Sequence, residues 1–192
     1  MEKLTGLNKL KTAVFISGTG SNLKNLIKFS KIKKTPISIN LVISNIHNAK
    51  GLKYADLTNI KKKIFSFKDT KDTEKKILIL LKKEKINFIC LAGFMKIISK
   101  NFIKKFDGEI INIHPSLLPK YKGLHTHRRA IANKDKFAGC TVHYVTEKLD
   151  SGKIIMQKKI KILATDNVIS LTKKVLKQEY KLYPAAIKKI FN

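Results

Sequence analysis

The chain has 192 residues, 43% of them hydrophobic and 28% charged, with nine Gly and four Pro. This is globular composition, not that of a disordered or collagen-like chain, and the length can bury a core without disulfide or metal staples. Lys and Arg total 41 against 13 Asp and Glu, a formal net charge of +28, but Arg128 and Arg129 are the only arginines. Nucleic-acid readers lean on arginine's bidentate geometry, so the scattered lysines are read as a solvated surface that also attracts anionic small molecules.

In chain order, a buried strand is expected over residues 12–17, stopping at a glycine pair, then a turn over 18–22. Leu23, Leu26 and Ile27 follow at helical spacing. A second strand is expected at 37–44, a helix at 49–60, a short strand at 63–67 and a helix from about 73 to 85. Buried strands follow at 88–92 and 110–113, then a loop over 114–127 that holds two prolines and a glycine. Strands at 141–145 and 154–162 precede a closing helix over 168–191, broken or ended near Pro184. Strands alternating with helices predict an α/β fold whose sheet is mostly parallel, with helices on both faces and ligands beyond the carboxyl ends of the strands. No repeat or linker divides the chain, so one domain over 1–192 is expected, with 1–11 as a short basic leader. The longest apolar run, 88–95 with Gly93 included, is too short to cross a bilayer as a helix, so no membrane partner is expected. The opening segment lacks an apolar signal core, and Cys90 and Cys140 fit neither a disulfide framework nor a zinc motif. A reducing cytoplasm is the expected location.

Three segments carry candidate chemistry. Ser17-Gly18-Thr19-Gly20-Ser21-Asn22 sits between a strand and a helix. Its glycines let the backbone approach an anion, and the helix start, the Ser21 hydroxyl and the Asn22 amide suit a phosphate. It is neither a dinucleotide fingerprint nor a P-loop, and a turn that binds nothing is the plain alternative. Asn112 and His114 alternate onto one face of a strand end, where an amide and an imidazole can stabilise developing negative charge on oxygen. A capping Asn and a surface His are the plain alternative here. Glu147 and Asp150 lie in the turn between the last two strands; an aspartate beside an imidazole favours its charged form. An ordinary Asp-Ser-Gly turn is equally open on these residues. His125 and His127 have the spacing of a ligand pair on a strand, but no carboxylate or cysteine cluster accompanies them, so no metal is expected.

Five segments in this order resemble one family: the glycine loop, Leu91-Ala92-Gly93-Phe94-Met95, Asn112-Ile113-His114-Pro115-Ser116-Leu117-Leu118-Pro119, Gly123-Leu124-His125-Thr126-His127-Arg128-Arg129-Ala130, and Leu149-Asp150-Ser151-Gly152. The chain is similar to the phosphoribosylglycinamide formyltransferases, folate-dependent enzymes of purine synthesis, from about residue 12 to 191. The resemblance implies a Rossmann-like formyltransferase fold and 10-formyltetrahydrofolate as co-substrate. It implies Asn112, His114 and Asp150 as the catalytic trio. Gly20, Ser21 and Asn22 would hold the substrate phosphate, with Glu179 as a ribose-hydroxyl ligand. Met95, Lys96, Ile97 and Ile98, together with Asn112, would meet the folate. The implied partners are small molecules, and the chain would be a monomer or weak homodimer. A formyl-folate hydrolase and a basic polyanion-binding module on the same fold are the alternatives. Three departures from the family pattern stand out. The segment Lys68-Asp69-Thr70-Lys71-Asp72 has no arginine for the folate tail, which leaves Lys68 or Lys71 to replace it. Ser151 stands where a glycine is common. Asn192 follows shortly on the closing helix, where longer members carry a final hairpin.

Overall fold

The structure is a computed structural model that describes residues 9–191, so most of the expected basic leader over 1–11 lies outside the described residues. Among the described residues seven strands form one sheet in the order β3-β2-β1-β4-β5-β6-β7. Two compact units are distinguished within the described chain, 9–111 with Phe191, and 112–190.

In the first unit β1 (Leu10–Ile16) pairs in parallel with β2 (Ile37–Ser44) and with β4 (Phe88–Leu91), and β3 (Lys61–Ile64) pairs in parallel with β2. Parallel neighbours need crossovers, which α1 (Ser21–Ser30), α2 (Leu52–Asp56) and α3 (Thr70–Lys83) supply. β1 is buried from Thr12 to Ile16, and Leu23, Leu26 and Ile27 turn one face of α1 into the core, as their spacing predicts. The expected helix over 49–60 contracts to five residues, because Gly51 precedes it and Asn59, in the left-handed region at φ 52°, ends the turns that follow. β3 lies two to three residues earlier than its apolar pattern suggests. It is an exposed edge strand whose place is fixed by pairing Leu41 with Lys61 through Ser44 with Ile64. α3 begins three residues before the expected start because Asp69 caps it, accepting Asp72 N–H at 3.0 Å. Helix α4 (Lys100–Lys105) was not expected; its lysine-rich residues carry little periodic signal, and Ser99 caps it by accepting Phe102 N–H at 3.1 Å.

β5 (Glu109–His114) ends in the second unit, where β6 (Phe137–Tyr144) and β7 (Ile154–Lys161) pair antiparallel from Phe137 opposite Lys161 to His143 opposite Ile154. The sheet is mostly parallel, with β6 and β7 antiparallel. The expected loop over 114–127 gives way at its end to helix α5 (Thr126–Ala132), which places His125 and His127 across a helix start instead of along a strand. α6 (Val168–Phe191) runs through Pro184 without a break. Leu182, Tyr183, Ala186 and Ile187 are buried on either side of the proline. Packing of that face outweighs the roughly 3 kcal/mol an interior proline costs. Among the described residues no helix is long and apolar enough to cross a membrane.

Candidate active site

In the first unit, β1 ends at the glycine loop. Gly20 takes a left-handed φ of 71° directly before α1, and the helix opens with no side-chain cap hydrogen bond. A helix start in that condition directs backbone N–H groups and positive dipole outward. Ser21 is half-buried and Asn22 buried. Gly51, which sequence reading did not single out, fixes the loop from the α2 side. Its N–H donates to Gly18 O at 2.9 Å, and a Cβ on Gly20 would come within 2.5 Å of Gly51 Cα. Both positions therefore need glycine, one for its φ and both for the close backbone approach.

Next to it in the same unit, the segment after β4 is fastened at its start. Ser17 N–H donates to Gly93 O at 3.1 Å and Met95 N–H donates to Ser17 Oγ at 2.7 Å, while Ser17 Oγ donates to Asn45 Oδ1 at 2.5 Å. The Phe94 ring sits edge-on to Phe15 and Phe67, with centroids 5.3 and 5.6 Å away. Met95 and Ile97 remain 63% and 69% exposed, Lys96 is exposed, and Ile98 is buried. An apolar surface held this firmly yet left open suits a flat ring. Lys68 and Lys71 are both exposed.

In the second unit, β5 carries Asn112 and His114 two residues apart, as expected. Asp150 lies in the turn between β6 and β7 at a φ of 45°, and Ser151 has no positive φ. Gly152 is required there because a Cβ would collide with Tyr144 O. The turn brings Asp150 Oδ2 to 3.4 Å from His114 Nδ1, with both side chains under a tenth exposed. The same oxygen accepts Gly123 N–H at 2.8 Å, and His114 Nε2 lies 2.9 Å from Tyr121 O. Each ring nitrogen of His114 thus faces an oxygen acceptor, which suits an imidazolium, the form in which both nitrogens donate.

His143, which sequence reading also missed, stands between the members of this group. Its Nε2 lies 3.3 Å from Asn112 Nδ2 and 3.7 Å from Asp150 Oδ1, and its Nδ1 lies 2.9 Å from Tyr144 O. Burial lowers its pKa below the ordinary histidine value, against the Tyr144 hydrogen bond and the Asp150 charge, which raise it. A neutral His143 donating to Tyr144 O from Nδ1 leaves Nε2 as an acceptor, so the Asn112 amide turns its NH₂ side toward it. The signal was present in β6, where Thr141 and His143 are polar residues two apart in an otherwise apolar run. Thr141 is used as well. Its Oγ1 accepts Leu118 N–H at 3.1 Å and donates to Ser116 O at 2.7 Å, and Gln157 Nε2 donates to Leu118 O at 2.7 Å. These bonds pin the chain that follows His114.

Beyond this pinned stretch, Tyr121 donates to Asp135 Oδ2 at 2.8 Å, and the Arg129 guanidinium lies 4.9 Å over its ring. Glu179 is buried on α6, and its charge, after burial itself, helps push the Cys140 thiol up to about 12. His127 is lowered by burial and by the nearby charge of His114. Among the described residues no group of three or more His, Cys, Asp or Glu is arranged to hold a metal ion.

The formyl transferase family model matches residues 10–187. The phosphoribosylglycinamide formyltransferase of Haemophilus influenzae is 40% identical over 181 residues, covering 93% of this chain and 85% of that protein. The trifunctional purine biosynthetic protein adenosine-3 of Homo sapiens is 38% identical over 182 residues; the chain covers only 18% of that protein's length. The crystal structure of phosphoribosylglycinamide formyltransferase from Brucella melitensis superimposes with a TM-score of 0.90 at 41% identity, covering 96% of each chain. By sequence along nearly its whole length and by fold, the chain belongs to the formyl transferase family, in its phosphoribosylglycinamide formyltransferase branch.

Proposed function

We propose that this protein transfers the formyl group of 10-formyltetrahydrofolate to the amine of phosphoribosylglycinamide. The observation that carries this reading is the grouping of Asp150, His114 and, through His143, Asn112 at the end of β5. The substrate amine attacks the formyl carbon, forming the new C–N bond and a tetrahedral oxyanion. Breaking the bond to the folate nitrogen then releases tetrahydrofolate. The amine proton passes to that departing nitrogen through water beside Asp150.

The hydrogen bonds divide the work between the side chains. Asn112 has one amide hydrogen directed at His143 and a second for the oxyanion. His114, with both nitrogens occupied by Asp150 and Tyr121 O, acts through its positive charge. Gly20, Ser21 and Asn22 hold the substrate phosphate at the start of α1, and Glu179 accepts a ribose hydroxyl. Met95, Lys96, Ile97 and Ile98 line the pterin pocket, and Lys68 or Lys71 meets the folate tail as a point charge in place of arginine.

Asn112→Ala is expected to lower kcat by roughly 10²–10³-fold, the usual cost of one oxyanion donor, and His114→Ala to lower it as well. Steady-state turnover of the purified variants tests this. Near-normal kcat in either would remove that residue from the reaction.

A further inference from the structure

Thirteen acidic residues must serve a chain of 192, and one of them is spent in the interior, on α3. Glu74 is 3% exposed. Its Oε1 accepts Ser99 N–H at 2.8 Å and its Oε2 accepts the Ser99 hydroxyl. Ser99 ends the span that begins at Gly93. At the opposite end Met95 N–H is held by Ser17 Oγ at 2.7 Å, and Phe94 is wedged between Phe15 and Phe67. Between these two fastenings only Met95, Lys96 and Ile97 are exposed in succession.

A buried carboxylate is costly unless its oxygens are satisfied, and a cap alone does not call for one. Ser99 already caps α4 through Phe102 N–H without help from a charge. What the carboxylate adds is orientation. Two charge-assisted bonds from one residue fix both the backbone and the side chain of Ser99, and with them the direction in which residues 95–98 leave it.

We propose that Glu74 is a positioning residue for the formyl donor, holding the far end of the 95–98 span in the shape that receives the pterin. The proposal rests on reading that span as the pterin wall. The experiment measures KM for the 10-formyl folate and for the ribonucleotide, kcat, and thermal stability in four variants. Glu74→Ala removes both bonds. Glu74→Gln keeps an acceptor for Ser99 N–H and offers a donor to its hydroxyl. Thr73→Val is a control on the same helix that removes only the 2.7 Å bond to Ser66 O. Ile97→Asp perturbs the span directly.

The expected result is a donor KM raised about tenfold or more in Glu74→Ala, with kcat and ribonucleotide KM within about twofold, the pattern of lost uniform binding. Glu74→Gln should recover most of the donor affinity, and Thr73→Val should lower stability without moving the donor KM. If Glu74→Ala fails to fold, a donor KM in Glu74→Gln that shifts less than in Ile97→Asp, but more than in Thr73→Val, supports the same role. An unchanged donor KM in Glu74→Ala beside a raised one in Ile97→Asp overturns the role of Glu74 alone, leaving it a helix tie. An unchanged donor KM in Ile97→Asp overturns the pterin wall and the proposal with it. Equal loss in all three constants for Glu74→Ala also overturns it, because that is general disruption.

Discussion

His143 donates nothing to a substrate in the proposed reaction, yet its protonation state sets the direction of the Asn112 amide. A charged His143 would carry hydrogens on both nitrogens and would face the Asn112 NH₂ with a donor instead of an acceptor. Burial is what keeps it neutral. The same cause, joined by the His114 charge, lowers His127. For both, the folded pKa lies below the ordinary value of 6.5. Near and below that value the unfolded chain takes up protons that the folded chain refuses, so stability is full above about pH 6.5 and falls as pH drops below it. Urea unfolding at pH 7.5 and 5.5 should show a lower unfolding free energy at the lower pH. His143→Asn should reduce that loss. An identical loss in the variant would show that His143 titrates normally.

At the scale of elements, the glycine loop depends on a neighbour as much as on its own sequence. Gly51, just ahead of α2, meets Gly20 so closely that a Cβ on either would press into the other's backbone. Gly51→Ala is expected to raise the ribonucleotide KM by an order of magnitude or more while sparing the donor KM, since something in the glycine loop, the proposed phosphate site, must shift. Steady-state kinetics with each substrate varied in turn checks this; unchanged ribonucleotide KM would show that the loop accommodates the methyl.

Gly51 also marks how far sequence reading reached. The glycine loop was legible because its glycines, hydroxyl and amide are consecutive, whereas Gly51 is 31 positions from Gly20 and acts through contacts that only the fold creates. β2 was read with its observed bounds, residues 37–44, because its burial alternates and then becomes continuous. β3 was misplaced because an exposed edge strand has no buried face to write a pattern. α4 and α5 were missed for a related reason, six and seven residues being too few for a period to repeat. In the second unit Asn112 and His114 were legible from their alternation on one strand end, and Asp150 as a companion of His114 only through the family resemblance. His143 was not, since a histidine in an apolar strand shows its purpose only once Asn112 and Asp150 are known to flank it.

For the molecule as a whole, the excess of lysine is managed locally. Glu84, Asp56, Asp72, Asp135 and Asp166 each pair with a lysine, at 2.5 to 3.2 Å. Asp166, which also accepts Leu163 N–H and the Ser170 hydroxyl, is held down to about 2, with the Lys174 hydrogen bond as the largest cause. Both outer strands carry lysine, Lys61, Lys62 and Lys63 on β3 and Lys158, Lys159 and Lys161 on β7. Charge on an exposed sheet edge discourages pairing with another copy, which gives these six lysines a structural use. The remaining field favours anionic ligands, and a ribonucleotide and a folate are both of that kind.

That a formyl group is passed to a ribonucleotide, and not to water or to nothing, is the claim on which the assigned roles depend. It is tested most directly by following release of the folate product from 10-formyltetrahydrofolate with and without phosphoribosylglycinamide, in the native protein and in Asp150→Asn. Release that requires the ribonucleotide and collapses in the variant is the expected result. Release at the same rate without the ribonucleotide would make the protein a hydrolase, and no release under either condition would contradict the formyl-transfer reading itself.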